Sequence, residues 1–248
     1  MSRSAHSVIT FGASVRGPLH RREGRPNEDA WLHARGAFGA LAVVCDGLGS
    51  KPNARMGSRV ACASVREAVV RWSKVDGAPL SYLAHLVELI WRLRLHPTDP
   101  PSAATTCLLA LATAKGETIV GGVGDGLVLV RTGSDIQVIV GDRGAEFSDE
   151  THGLGVSTGP RAWKVVRLPA TDTEQLAVLA TDGVSDDLRP ERLDGLCKWL
   201  VDVYVAADPN ERRHQLAAQL RAWPTPGHLD DKTIAVVYRP ARHAQVAS

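Results

Sequence analysis

The chain has 248 residues, 44% of them apolar and 23% charged, with 29 Lys and Arg against 27 Asp and Glu for a net charge of +2. That balance is ordinary for a globular protein and too mild to argue for nucleic acid, and no apolar run approaches the ~20 residues of a membrane span. The first ten residues lack the apolar centre of a secretory signal, so the expectation is a cytoplasmic protein without membrane or nucleic-acid partners, folded as a single domain over residues 1–248 with its core at about 8–239.

In chain order, residues 7–16 partly alternate and predict a first strand. A loop over 17–26 follows, rich in His20, Arg21, Arg22 and Arg25, and ends at Asn27-Glu28-Asp29-Ala30-Trp31. Residues 30–33 and 39–45 predict the next two strands, the second stopping at Asp46-Gly47-Leu48-Gly49-Ser50. The period then changes. Small and apolar residues at helical spacing (Val60, Ala61, Ser64, Val65, Ala68, Val69, Trp72) predict a helix over 54–72, and Leu83, Leu86, Val87, Ile90 and Leu93 predict another over 80–95, closed by Pro97, Pro100 and Pro101.

Strand character returns at 102–112, and segments 117–123 and 127–131 predict a hairpin around Asp125. Residues 134–141 form another strand, while 142–160 are polar, Gly-rich and aperiodic, a surface excursion near the site. Strands at 164–168 and 176–181, helices at 189–206 and 210–223, and a last strand at 234–238 complete the chain. Cys45, Cys62, Cys107 and Cys197 stand singly without paired zinc spacing, which predicts buried reduced thiols.

One local pattern recurs. An apolar run leads into Asp-Gly at 42–50, at 176–186 and, more weakly, at 120–126. A lone Asp-Gly is foremost a turn. Three of them at strand ends point to carboxylates gathered from distant segments at one end of a sheet scaffold. Hard divalent cations select oxygen, so a carboxylate and carbonyl set without Cys or His suits Mg²⁺ or Mn²⁺ over zinc. Two such ions about 3.5–4 Å apart activate water and stabilise an in-line displacement at phosphorus.

Asn27-Glu28-Asp29-Ala30, Val44-Cys45-Asp46-Gly47-Leu48-Gly49-Ser50, Ala104-Thr105-Thr106, Gly124-Asp125-Gly126, Ala180-Thr181-Asp182-Gly183-Val184-Ser185-Asp186 and Asp230-Asp231-Lys232-Thr233 occur in one order along residues 10–238. This ordered set resembles the metal-dependent protein phosphatases of the protein phosphatase 2C family, in a bacterial-type branch. The resemblance implies an α+β fold, a four-layer α-β-β-α sandwich of two antiparallel sheets flanked by helices. It implies a centre of two Mn²⁺ or Mg²⁺ ions, with Asp46 bridging, the Gly47 carbonyl, Asp182 and Asp230 as ligands, and Asp29 and Glu28 acting directly or through water. Asp125, Asp182 and Asp186 match the place of a third, weaker ion.

An arginine ahead of the Glu-Asp pair clamps phosphate in that family, because a guanidinium forks onto two phosphate oxygens. Arg25 and Arg22 both qualify here, with Arg21 behind them. Two positions depart from the family: Leu48 replaces the histidine that animal members carry as a proposed general acid, leaving water or His20 for that role, and Asp231 replaces the usual Asn. Thr105 and Thr106 are expected to satisfy backbone or pack in the strand, without a catalytic role, and 142–160 match the variable flap.

The implied activity is a serine/threonine protein phosphatase, a monomer opposing a Ser/Thr kinase on a phosphorylated protein substrate. Two other functions are distinguishable by experiment. One is a phosphatase-like regulatory module that binds a phosphoprotein without turnover; the other is a phosphatase for small phosphate esters.

Overall fold

A computed structural model describes residues 8–141, 152–156, 162–223 and 229–242. Ten strands form two antiparallel five-stranded sheets. The first joins β1 (Ile9–Val15), β10 (Lys232–Arg239), β9 (Gln175–Ala180), β6 (Leu127–Thr132) and β7 (Asp135–Val140) in that spatial order. The second joins β2 (Asp29–Gly36), β3 (Gly39–Asp46), β4 (Cys107–Thr113), β5 (Thr118–Val123) and β8 (Lys164–Leu168).

Alternation along the strands sorts the core into three layers. Ala42 and Val44 of β3, Leu108 and Ala110 of β4 and Ala177 and Leu179 of β9 pack between the sheets. Their neighbours Leu41, Val43 and Cys45 face the other way, onto α2 (Ala54–Trp72) and α3 (Leu80–Leu95). Leu176, Val178 and Ala180 likewise face α5 (Leu193–Leu200) and α6 (Pro209–Ala222). A strand buried on both faces has no polar side to show, which is why β3, β4 and β9 read as near-continuous apolar runs. The four-layer sandwich expected from the sequence is the fold found.

The hairpin around Asp125 is not formed. β5 pairs with β4 and β8, whereas β6 pairs with β9 and β7, so Gly124-Asp125-Gly126 carries the chain from one sheet to the other. Gly124 (φ +100°) and Gly126 (φ +102°) both lie in the left-handed region that only glycine adopts freely, which makes the crossing this short. Apolar periodicity reports burial and is blind to which sheet a strand joins.

Three local differences bear on the site. The basic loop contains a short helix α1 (Pro18–Arg22), and a helical turn α4 (Asp182–Ser185) starts straight after β9. The helix expected over 189–206 is built of three pieces: a turn at Pro190–Arg192, α5, and a wider turn at Val201–Val205. Of the excursion at 142–160, residues 142–151 and 157–160 lie outside the described residues. Leu154 is described and is 2% exposed, exchanging both backbone hydrogen bonds with Thr105 at 2.8 and 3.1 Å.

Candidate metal centre

Five acids at or beside strand ends meet at one end of the sandwich. Asp29 opens β2 and Asp46 closes β3, and the two face each other directly in the antiparallel register. Asp182 follows β9, Asp230 precedes β10, and those strands pair Ala180 with Ile234 at the same end. Asp125 sits at the crossing that leads into β6, whose Leu127 also pairs with Ala180. Like charges directly opposite on neighbouring strands destabilise a sheet. This end of the molecule accumulates them.

Glycine permits the approach. A Cβ on Gly47 would lie 2.5 Å from the Ala54 carbonyl oxygen, and one on Gly183 would lie 2.0 Å from that of Asp231. Any side chain at either place would push α2 or β10 off the site.

The electrostatics follow from the crowding. Burial, opposed by the Thr233 hydroxyl and reinforced by the charge of Asp231, raises the Asp29 carboxyl to about 7. Burial and then the charges of Asp29, Asp182 and Asp230 push Asp46 well above the carboxylate range. Asp182 is raised to about 6 by burial and by Asp125, Asp230 and Asp186. The structure therefore brings Asp29, Asp46, Asp182 and Asp230 within electrostatic reach of one another, with Asp125 and Asp186 on the flank of Asp182. No basic side chain contacts the Asp29 carboxylate among the described residues: its Oδ2 accepts from the hydroxyls of Thr181 (2.9 Å) and Thr233 (2.6 Å), while its buried Oδ1 has no hydrogen-bond partner.

A second layer beneath is fully paired. Asp231, 2% exposed, accepts from Gly17 N–H at 2.7 Å, Glu28 N–H at 2.6 Å and, at Oδ2, lies 2.8 Å from His20 Nδ1. His20 is 4% exposed and turns Nε2 to within 4.0 Å of Glu28 Oε2. Both Glu28 carboxylate oxygens accept from Arg25 Nη2 at 3.0 Å, and the same nitrogen donates to the Gly49 carbonyl at 2.9 Å. Arg22 is exposed on α1 and makes no side-chain hydrogen bond or ion pair among the described residues.

Thr105 and Thr106 hold Asp46 by its backbone, as expected. Thr105 Oγ1 donates to the Asp46 carbonyl at 2.7 Å, and Thr106 Oγ1 accepts from Asp46 N–H at 2.9 Å. The roles of Asp231, Thr181 and Thr233 are additions that motif reading does not supply. Their one sequence signal is proximity to an Asp at a strand end: Thr181 and Asp231 sit directly beside one, and Thr233 lies two residues past Asp231.

Residues 16–221 match the sequence family described as Protein phosphatase 2C. The chain belongs to the protein phosphatase 2C family. Solved structures of the same fold include a bacterial serine phosphatase (16% identity, covering 96% of this chain and 99% of that one, TM-score 0.67). They also include the Mycobacterium smegmatis PPM Ser-Thr phosphatase MsPP in complex with cacodylate (19%, 93% and 98%, 0.62). A third is the catalytic domain of the serine threonine protein phosphatase PstP in complex with two manganese ions (18%, 93% and 97%, 0.61). At these identities the likeness establishes the shared fold. No curated protein matches the chain. Among the described residues no helix is long and apolar enough to cross a membrane.

Within the protein phosphatase 2C frame, the donor set suits hard cations. It consists of carboxylates, with the buried and unpartnered Asp29 Oδ1 among them. His20 does lie near Asp230 and Asp231, but its Nδ1 is occupied by the Asp231 carboxylate.

Proposed function

We propose that the chain is a metal-dependent serine/threonine protein phosphatase. The observation that carries the reading is the convergence of Asp29, Asp182 and Asp230 on Asp46, with the buried Asp29 Oδ1 left without a hydrogen-bond partner. Burying a carboxylate oxygen without a donor is expensive, and a divalent cation removes the penalty. Asp46, the Gly47 carbonyl, Asp182 and Asp230 would hold two Mn²⁺ or Mg²⁺ ions together with Asp29, and Asp125 and Asp186 would assist Asp182 at a third. When bound, such ions supply Lewis acidity at the phosphoryl oxygens and lower the pKa of water.

The chain's own residues do the rest. Thr181 and Thr233 fix the Asp29 carboxylate in orientation, and Thr105 and Thr106 fix the Asp46 backbone. Glu28 has both oxygens on Arg25, which favours an outer role through water. Arg25 is the phosphate clamp in this reading. Its Nη2 is anchored on Glu28 and Gly49 beside the acidic cluster, and its Nη1 lies 3.5 Å from the half-exposed Glu23, a carboxylate that an incoming phosphate would have to displace. Arg22 has no such anchor. His20 is buried between Asp231 and Glu28, so the leaving alkoxide takes its proton from water.

The substrate is a phosphoserine or phosphothreonine protein made by an opposing kinase. Hydrolysis of a phosphothreonine peptide should require Mn²⁺ or Mg²⁺ and stop with chelator. Asp46→Ala should lower it by about a thousandfold or more, the scale of ~4 kcal/mol of transition-state stabilisation. Arg25→Ala should lower kcat/KM about tenfold to a hundredfold, and Arg22→Ala less than about threefold, consistent with a charge-assisted contact of ~1.5–3 kcal/mol. Metal binding without turnover by the wild type would instead identify a phosphoprotein-binding module, and turnover confined to small esters would identify a different substrate class.

A further inference from the structure

α2 begins at the acidic site and ends far from it. Its first residue packs on Gly47, where a Cβ would meet the Ala54 carbonyl, and Ser58 Oγ donates to the Glu28 carbonyl at 2.5 Å. Its last turn borders a groove of about 600 Å³ lined by His33, Arg35, Phe38, Arg66, Val70 and Lys74, at the end of β2 remote from Asp29. At 3.6 residues per turn, Arg55, Arg59, Arg66 and Ser73 fall within about 40° of one another around the helix. All four are exposed. Three exposed guanidiniums, Arg55, Arg59 and Arg66, therefore lie along α2 between Asp46 and the groove, with Ser73 at its far end.

The row is uncompensated. Arg55, Arg59 and Arg66 make no side-chain hydrogen bond or ion pair among the described residues, and no carboxylate lines the groove. The one acid of α2, Glu67, is held by Arg71 at 2.6 Å and by Arg94 at 2.7 Å. On the neighbouring helix α3, by contrast, Arg92 is paired with Glu88 at 2.9 Å and Arg94 with Glu67 at 2.7 Å. Exposed like charges on one helix face repel one another at i,i+4 spacing. Nothing in the packing of α2 needs them.

We infer that this face docks an acidic stretch of the phosphoprotein substrate, extended along α2 from the phosphorylated residue to the groove. The identity of the occupant rests on the proposed phosphatase reading; the anion-binding face does not. The 19 residues of α2 span about 28 Å at 1.5 Å per residue, the reach of roughly eight extended residues. A protein segment fits better than nucleic acid because the row starts at the site where phosphate would be cleaved and the whole chain bears a net charge of only +2.

The test separates docking from chemistry. Fluorescence anisotropy with the Mn²⁺-loaded protein and an unphosphorylated peptide of eight Asp and Glu residues needs no turnover. Arg59→Gln/Arg66→Gln should bind it about tenfold more weakly, with binding in the wild type falling steeply with salt. A thermal melt checks that the variant is folded. In turnover, a phosphothreonine peptide with an acidic flank should show a lower KM than one with a neutral flank, and the variant should erase that difference in KM with kcat retained. Unchanged peptide affinity in the folded variant would overturn the inference. So would a single-stranded oligonucleotide that displaces the acidic peptide at lower concentration, which would make nucleic acid the occupant. Peptide binding without any phosphopeptide turnover would leave the face standing and count against the phosphatase reading.

Discussion

Glu28 and Asp29 are neighbours, as are Asp230 and Asp231, yet within each pair the two carboxylates have opposite surroundings. Glu28 is neutralised by Arg25 and flanked by His20; Asp231 accepts two backbone N–H groups and faces His20 Nδ1. Asp29 instead faces Asp46, and the charges of Asp29, Asp182 and Asp230 crowd on that residue. Both pairs lie where a loop enters a strand, β2 at Asp29 and β10 at Lys232, and there one residue step moves a carboxylate from a structural layer to a functional one. The lesson is that acidity alone marks neither: Glu28 is met by Arg25 and Asp231 by His20, whereas Asp29, held by two hydroxyls, has no basic partner among the described residues.

The contrast can be broken from both sides. Asp231→Ala should be the most damaging, because it strands two buried N–H donors and the His20 ring; at ~1–3 kcal/mol for each group left unsatisfied, about 3–5 kcal/mol of stability should be lost. For a chain of this size that is a fall in Tm of roughly 10 °C, readable by calorimetry. A loss no larger than that of an exposed Asp→Ala would show that Asp231 is not the keystone described here.

The functional layer should respond to pH in the metal-free protein. Asp29 and Asp182 have native pKa values raised to about 7 and about 6, above the unfolded Asp value of ~3.9. The native state then holds more protons than the unfolded state through this window, so stability is greatest below about pH 4 and declines as pH rises through 6 and 7. Each carboxyl contributes up to about 1.4 kcal/mol per pH unit within it. Urea unfolding at pH 5 and pH 8 measures the effect, and saturating Mn²⁺ should remove it. Stability that rises with pH in chelator would contradict the crowding.

The smallest expected effect has the opposite sign to most substitutions. Asp46→Asn keeps the shape and relieves the repulsion by Asp29, Asp182 and Asp230 that, with burial, pushes the Asp46 carboxyl up, so in chelator at pH 8 the variant should melt at a higher temperature than wild type. It should also lose the stabilisation by Mn²⁺. A lower melting temperature without metal would mean that Asp46 is held by favourable contacts rather than by repulsion offset on binding.

Much of this was legible along the chain. Apolar runs long enough to be buried on both faces announced β3, β4 and β9, helical spacing announced α2 and α3, and strands ending in Asp-Gly announced a carboxylate cluster, because burial and turn chemistry are written in local residue order. Thr105 and Thr106 were legible as backbone partners for the same reason. The membership of β5 and β6 in different sheets was not, since pairing is a long-range choice that leaves their periodicity unchanged. Nor was the division of labour between Asp230 and Asp231, which depends on Gly17 and Glu28 arriving from more than two hundred residues away. The arginines of α2 stand at helical spacing in the sequence, but only the packed helix shows that its one acid, Glu67, is spent on Arg71 and Arg94 and that its axis leads from the acidic site to a groove. Local order set the elements and the residues able to hold cations; the meeting of distant strand ends decided which carboxylates remain without a counter-charge.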